Sequence, residues 1–283
     1  MIRQWWRLLR GGNALLAGSA GLVGFYLARG DWWPPEALPA FFAPALITAY
    51  GNIDNDICDL ELDHHIKPDR PLPSGAVTLT AARILAAVML ILGMLAGGFA
   101  GTIPFTVCLV VVVLLMAYNR FLAGMPMVGN IVIAFLGGLP ILFGAVCVPV
   151  TTQGAAGVAL LATVIAFWLH WAREILKDAL DIEGDRALGR RTLPVVFSQR
   201  TAIRWAAFPM IPAAGFALYL GLTHWLGVLY MFGICLTVVP ALALGAAQCA
   251  VNPSAEVASR WSFGLKLIMI AGLVWMVLGT ATL

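Results

Sequence analysis

Residues 155–185 read AAGVALLATVIAFWLHWAREILKDALDIEGD, an apolar run over 155–177 followed without a break by Asp178, Asp181 and Asp185 in D-x2-D-x3-D spacing. A hydrocarbon core about 30 Å thick takes about 20 residues of helix, so this run is long enough to cross a membrane. The aspartates continue a helix that begins in lipid. Positions i, i+3 and i+7 share a helix face, which predicts a stripe of three carboxylates. The same spacing occurs 122 residues earlier, where Asp56, Asp59 and Asp63 end the apolar segment 37–57.

Applied along the chain, the same ruler gives nine spans, near 13–29, 37–57, 82–99, 103–122, 129–148, 155–177, 205–221, 225–246 and 262–282. The fold expected is an all-α integral membrane protein with about nine transmembrane helices in one bundle. No linker divides it, and residues 1–283 read as a single transmembrane domain. Arg3, Arg7 and Arg10 precede the first run, which reads as a retained membrane helix and not a signal peptide. Threading nine spans puts all of the 17 Lys and Arg except Arg29 on one side. That bias predicts a multi-pass protein of the cell inner (plasma) membrane, with motif loops near 58–81 and 178–204 in the cytoplasm. The second and sixth spans then run in the same direction, and their carboxylate runs lie at one depth, facing each other.

Composition agrees. The chain is 61% hydrophobic and 11% charged, against about 45–50% and about 25% in soluble domains. An ordinary water-soluble fold and a disordered chain are excluded, and the few, segregated cations exclude a nucleic-acid-tracking surface. Cys58, Cys108, Cys147, Cys235 and Cys249 are widely spaced and form no CxxC pair, so they read as small hydrophobes. His64 and His65 are adjacent, about 100° apart on a helix, and read as interfacial instead of metal-bound.

All of the 14 acidic residues except Asp31, Glu36 and Glu256 lie in or beside the two runs. Carboxylates carried by membrane helices are costly unless compensated, and a divalent cation resolves their repulsion. Oxygen ligands shared with substrate phosphates are the set that Mg²⁺ takes, so Asp56, Asp59, Asp63, Asp178, Asp181 and Asp185 are the candidate metal ligands. Glu61 and Glu183 read equally well as a solvated face. Each run is followed by cations and loop punctuation: Lys67, Arg70 and Pro71 after the first, Gly189, Arg190 and Arg191 after the second. These cations suit a phosphate group carrying magnesium, although Arg70 and Arg190 read equally well as head-group anchors; Arg200 and Arg204 read as anchors. Two magnesium-binding stripes at the mouth of an apolar bundle suit a substrate with a diphosphate head and a greasy tail. If the tail is allylic, loss of diphosphate leaves a delocalised cation that an acceptor traps, and water must be excluded.

Asn55-Asp56-x-x-Asp59-x-x-x-Asp63, then Pro68-x-Arg70-Pro71 and Ser74-Gly75, with Lys177-Asp178-x-x-Asp181-x-Glu183-Gly184-Asp185 leading into Gly189-x-x-Thr192-Leu193-Pro194, resembles the UbiA-type intramembrane prenyltransferase superfamily over essentially the whole chain. The resemblance implies nine helices with both motifs on the cytoplasmic side and Mg²⁺ as cofactor. It matches Asn55, Asp56, Asp59 and Asp63 to a first diphosphate–magnesium motif, Asp178, Asp181 and Asp185 to a second and Asn52 to a further polar position; with the loop cations, the expected catalytic set is Asp56, Asp59, Asp181 and Asp185 and the expected diphosphate set includes Asn52, Asn55, Lys67, Arg70, Lys177 and Arg190. A third motif resembles Tyr118 to Asn130, where Tyr118, Pro126, Gly129 and Asn130 fit but the family lysine is Ala123. Arg120 is the candidate replacement, and Tyr118 and Asn130 join the diphosphate set.

The partners implied are a polyprenyl diphosphate donor, a lipid or aromatic acceptor and membrane lipids, without nucleic acid. Residues 183–194 look most like members that add a second geranylgeranyl chain to geranylgeranylglyceryl phosphate; chlorophyll synthases and quinone-forming members share much of that run. A non-enzymatic scaffold would leave the repeated aspartate spacing without a reason. A transporter would want its carboxylates nearer mid-membrane.

Overall fold

The computed structural model describes residues 2–30, 35–149, 152–187 and 189–282. The expectations on Asp31 and on the side chain of His65 lie outside the described residues. All regular elements described are helical: α1 (Ile2–Leu8), α2 (Gly11–Arg29), α3 (Ala37–Cys58), α4 (Leu60–Ile66), α5 (Leu79–Ala100), α6 (Thr102–Ala117), α7 (Val128–Val146), α8 (Gln153–Leu180), α9 (Ile182–Ala187), α10 (Leu193–Val196), α11 (Gln199–Trp205), α12 (Ala207–Leu222), α13 (Val228–Gly233), α14 (Val239–Val251) and α15 (Ala255–Thr280). α6 runs on through a π-helical turn over Tyr118–Leu122, and a second such turn, Ile234–Val238, joins α13 to α14. Thr78, Thr152, Ser198 and Ser254 cap α5, α8, α11 and α15 by accepting the N–H three residues on, as a side-chain oxygen does for a free helix N-terminus.

Eight of the resulting rods are long and apolar enough to cross a membrane among the described residues. The ninth of spanning length is α3, 22 residues long, whose last two turns carry Asn52, Asp54, Asn55 and Asp56 and lower its hydropathy. The outward faces of the rods are apolar, with Ile84, Phe99, Ile103, Phe208 and Phe232 exposed, as lipid requires. The chain is a multi-pass membrane protein.

Two details differ from the sequence reading. The N-terminus is two helices, broken at Arg10, which adopts a left-handed backbone (φ 46°). Neither aspartate triplet lies on one continuous helix. The helices α3 and α8 each stop at the middle aspartate: Asp59 has φ −91°, ψ 6° and Asp181 φ −97°, ψ 11°. Both sit in the sparsely used bridge region, and a short separate helix follows each. The first aspartate of each run stays on the spanning helix, and the third is carried on a short surface helix.

The bundle has two apolar cores, one around α3 and one around α8, so each run is the end of a core helix. The helices α2 and α7 join the two cores at backbone contact. A Cβ on Gly144 would lie 1.8 Å from the Gly21 carbonyl oxygen, and one on Gly24 would lie 1.9 Å from that of Ile141. Without a hydrophobic force between helices in lipid, such small-residue contacts provide the packing. Gly144→Leu is therefore expected to destabilise the fold by at least about 3 kcal/mol, read as loss of the monodisperse detergent-solubilised peak. Gly12→Ala, with open space around it, should leave the peak unchanged.

Candidate active site

Cations interleave the two runs around the helix breaks at Asp59 and Asp181. Lys67, from the loop after the first run, donates to Asp181 Oδ1 of the second at 2.9 Å. Arg190, from the loop after the second run, donates to Asp59 of the first and lies 3.8 Å from Asp185 Oδ1. The expected opposition of the runs is thus met, and Lys67, Arg70 and Arg190 all reach carboxylates.

Within the first run, Asp56 is buried and accepts from Arg10 Nη2 at 2.6 Å, while Arg70 bridges Asp56 (3.4 Å) and Asp63. Asn55 accepts from Arg10 at 3.0 Å and donates to Asp59 at 3.3 Å; Asn52 donates to the Leu9 carbonyl, holding the N-terminal segment over the site. In the second run Asp178 accepts from Asn130 at 2.7 Å, and Asp185 accepts from the buried Thr192 hydroxyl at 2.8 Å. Burial is the largest influence on Asp63 and on Asp185 and raises both carboxyls from their ordinary value; Arg70 opposes it at Asp63, and the Thr192 hydroxyl opposes it at Asp185. A bound divalent cation favours the charged carboxylate and would oppose that shift. Glu61 and Glu183 are exposed.

Among the described residues no three Asp, Glu, His or Cys side chains converge on one point. The six aspartates are instead each paired with guanidinium, ammonium, amide or hydroxyl groups, and Lys67 and Arg190 tie one run to the other. Their donor chemistry, carboxylate and amide oxygen without thiolate, is the hard set that suits Mg²⁺ with retained waters.

A cavity of about 280 Å³ runs into the bundle beside the acidic runs, its lining including Arg10 and Asn55, which bond to Asp56 and Asp59; its volume is close to the lower end of small-molecule sites. Asn52, Asn55 and Tyr118 line it at the polar end, and its depth is apolar, including Leu139, Phe143, Ile165 and Met269. Arg120 is not in that lining. Its guanidinium makes two hydrogen bonds to Asp54, at 2.9 and 3.1 Å, and it lines an outer cleft with Ala123, Arg190 and Arg191. The neighbouring Asn119 donates to the same buried Asp54 at 2.8 Å. The π turn makes this possible by widening the helix so that successive residues, 119 and 120, both reach α3.

Sequence reasoning missed Arg10, Asp54 and Asn119. Arg10 looked like one more interfacial cation, and Asp54 falls outside the repeated spacing. A buried acid two residues before the motif, with an Asn-Arg pair ending another span, was the available signal.

A largely apolar cavity inside a helical bundle, joined at its polar lining to two acidic runs through Arg10 and Asn55, suits a lipid with a charged head. Residues 17–279 match the UbiA prenyltransferase family, and the chain belongs to that family. It is an enzyme of the prenyl-transferring class. A digeranylgeranylglyceryl phosphate synthase of Methanoculleus marisnigri is 37% identical over 81% of this chain and 80% of its own length. A solved structure described as a digeranylgeranylglyceryl phosphate synthase in membranes has a TM-score of 0.79 and 28% identity, covering 99% of this chain and 98% of that one. A UbiA homologue from Archaeoglobus fulgidus, solved with DMAPP and Mg²⁺, shares the fold with a TM-score of 0.71 at 15% identity, over 97% of this chain and 99% of its own.

Proposed function

We propose that the enzyme transfers a prenyl group from an isoprenoid diphosphate to a lipid acceptor with a phosphate head, of the geranylgeranylglyceryl phosphate class, with Mg²⁺ as cofactor. The observation that carries this reading is the pair of acidic runs, interleaved by Lys67 and Arg190 and joined through Arg10 and Asn55 to an apolar cavity. The names of the relatives support the acceptor, and the Archaeoglobus homologue's ligands support the donor and the metal.

The whole chain works as one catalytic domain. Asp56, Asp59, Asp63, Asp178, Asp181 and Asp185 would hold Mg²⁺, which supplies charge neutralisation to the leaving diphosphate. Arg70, Arg190 and Lys67 stand among those carboxylates and are placed to take the phosphate oxygens. Asn52, Asn55, Tyr118 and Asn130 orient the head at the cavity mouth. The C1–O bond to diphosphate breaks with its electron pair leaving on oxygen, the acceptor hydroxyl oxygen bonds to C1, and the hydroxyl proton leaves with the diphosphate. The apolar walls keep water from C1. Arg120, tied to Asp54 on α3 and lining one pocket with Arg190, remains the candidate for the cation missing at Ala123. Purified enzyme in detergent with Mg²⁺, C10 to C45 prenyl diphosphates and glyceryl-phosphate, hydroxybenzoate, naphthoate and chlorophyllide acceptors should form the phosphate-lipid product, detected by mass. Prenylation of an aromatic acceptor alone would overturn the acceptor assignment.

The charge bias supports a plasma-membrane enzyme with its acidic runs on the cytoplasmic face. Cysteines placed at Ser74 and Ser198 should react with an impermeant reagent from the cytoplasmic face, and cysteines at Thr152 and Thr223 from the opposite one. Labelling of positions 74 and 198 from opposite faces would end the shared-site assignment.

A further inference from the structure

The cavity carries a second charged group that the donor site does not use. On the wall made by α8 and α15 it is lined by Arg173, Glu174, Lys177 and Lys266. Glu174 is buried and accepts from Arg173 Nη1 at 3.1 Å and Lys177 Nζ at 2.6 Å. Lys266 has an amide for its partner, the Asn13 oxygen at 2.9 Å, and lies within electrostatic reach of Arg173 and Lys177. The buried Nε of Arg173 has no hydrogen-bond partner. The next carboxylate along α8, Asp178, is within electrostatic reach of Lys177 but is hydrogen-bonded to Asn130 and outside the cavity lining. Three cations therefore face one carboxylate, whereas the cations among the acidic runs are each matched to aspartates.

Head-group anchoring does not explain this set. A long cationic side chain that serves as an anchor snorkels to the membrane surface. Arg173 instead keeps a side chain only 14% exposed, and Lys266 reaches inward to α2. Excess positive charge inside a spanning bundle is costly unless an anion offsets it. A phosphate monoester carries up to two negative charges and several acceptor oxygens, which matches the surplus of two cations and the free N–H of Arg173.

We propose that Arg173, Lys177 and Lys266 form the seat for the phosphate of the acceptor lipid, separate from the aspartate runs that take the donor diphosphate. This rests on the reading of the enzyme as one that uses a phosphate-bearing acceptor. Lys177, which the sequence reading places on the donor diphosphate, serves the acceptor here. The arrangement gives each anionic head its own cations and brings both apolar tails into one cavity, so that the acceptor hydroxyl meets the donor C1.

Steady-state kinetics with saturating donor and varied geranylgeranylglyceryl phosphate test the seat. Arg173→Gln and Lys266→Gln should each raise the acceptor KM at least about tenfold, toward the value for the dephosphorylated alcohol, while the donor KM stays within about twofold. Arg173→Lys and Lys266→Arg should recover part of the loss, which a purely structural role would not predict. An acceptor KM within about twofold of wild type in both Gln variants, or an equal loss of donor affinity, overturns the proposal. Calorimetric binding of the phosphate lipid without donor separates this from the functional reading. If wild type binds the lipid but does not prenylate it, the functional reading fails; the seat then stands if the Gln variants lose binding and falls if they keep it.

Discussion

Asp56→Asn and Asp181→Asn should each lower turnover by about a hundredfold or more at saturating Mg²⁺ and donor, with the protein still folded and membrane-inserted. Asparagine keeps the volume and the hydrogen-bonding oxygen of aspartate but removes the charge that a hard cation needs. At Asp181 the fold has little to lose, because the carboxylate is exposed and its partner Lys67 is half-exposed; the melting temperature should barely move. At Asp56 the loss of a buried partner for Arg10 and Arg70 costs about 1–3 kcal/mol, softened because Arg70 retains Asp63 and Arg10 retains Asn55. The double variant should be hardly slower than either single one, since residues acting as a unit are not additive. Retention of about a tenth of wild-type turnover by either single variant would sink the two-run assignment.

Much of this was legible from residue 155 onward. Apolar length fixed the spans to within a few residues for most helices, because the bilayer imposes a length that composition alone reveals. The pairing of the runs was legible too, since the period of D-x2-D-x3-D and the direction of the spans put both at one face. What the period hid was the break at Asp59 and Asp181. A spacing of i, i+3, i+7 assumes one helix, and nothing in the letters marks a backbone that stops and restarts without proline or glycine. The partners of the carboxylates were equally hidden. Arg10 reaches Asp56 because of a left-handed residue, and Arg120 meets Asp54 because of a π turn; both are set by tertiary packing. The seat on α8 and α15 joins residues 93 positions apart, Arg173 and Lys266, which threading by charge bias could count only as two more cations on the positive side.

Arg190 offers the sharpest test of whether the two runs act as one site. It contacts Asp59 of the first run and Asp185 of the second, from a loop whose reversal uses Gly189 at φ 65°. Arg190→Ala should lower kcat/KM for the donor by about a hundredfold or more, because a guanidinium facing a diphosphate in a partly desolvated cleft gives charge-assisted hydrogen bonds worth about 1.5–3 kcal/mol each. The fold should survive, since Asp59 keeps Asn55 and Asp185 keeps Thr192. Arg190→Lys should recover only part of the rate: an ammonium restores the charge but not the planar fork that spans two carboxylates or two phosphate oxygens. Arg191 is the internal control. Its side chain is exposed and its backbone N–H is bound to the Gly124 carbonyl, so Arg191→Ala should change kcat/KM by no more than about threefold. Equal losses at 190 and 191 would mean that the loop contributes only diffuse positive charge. A loss confined to 190 with normal thermal stability means that one side chain ties the two halves of the bundle to a single diphosphate.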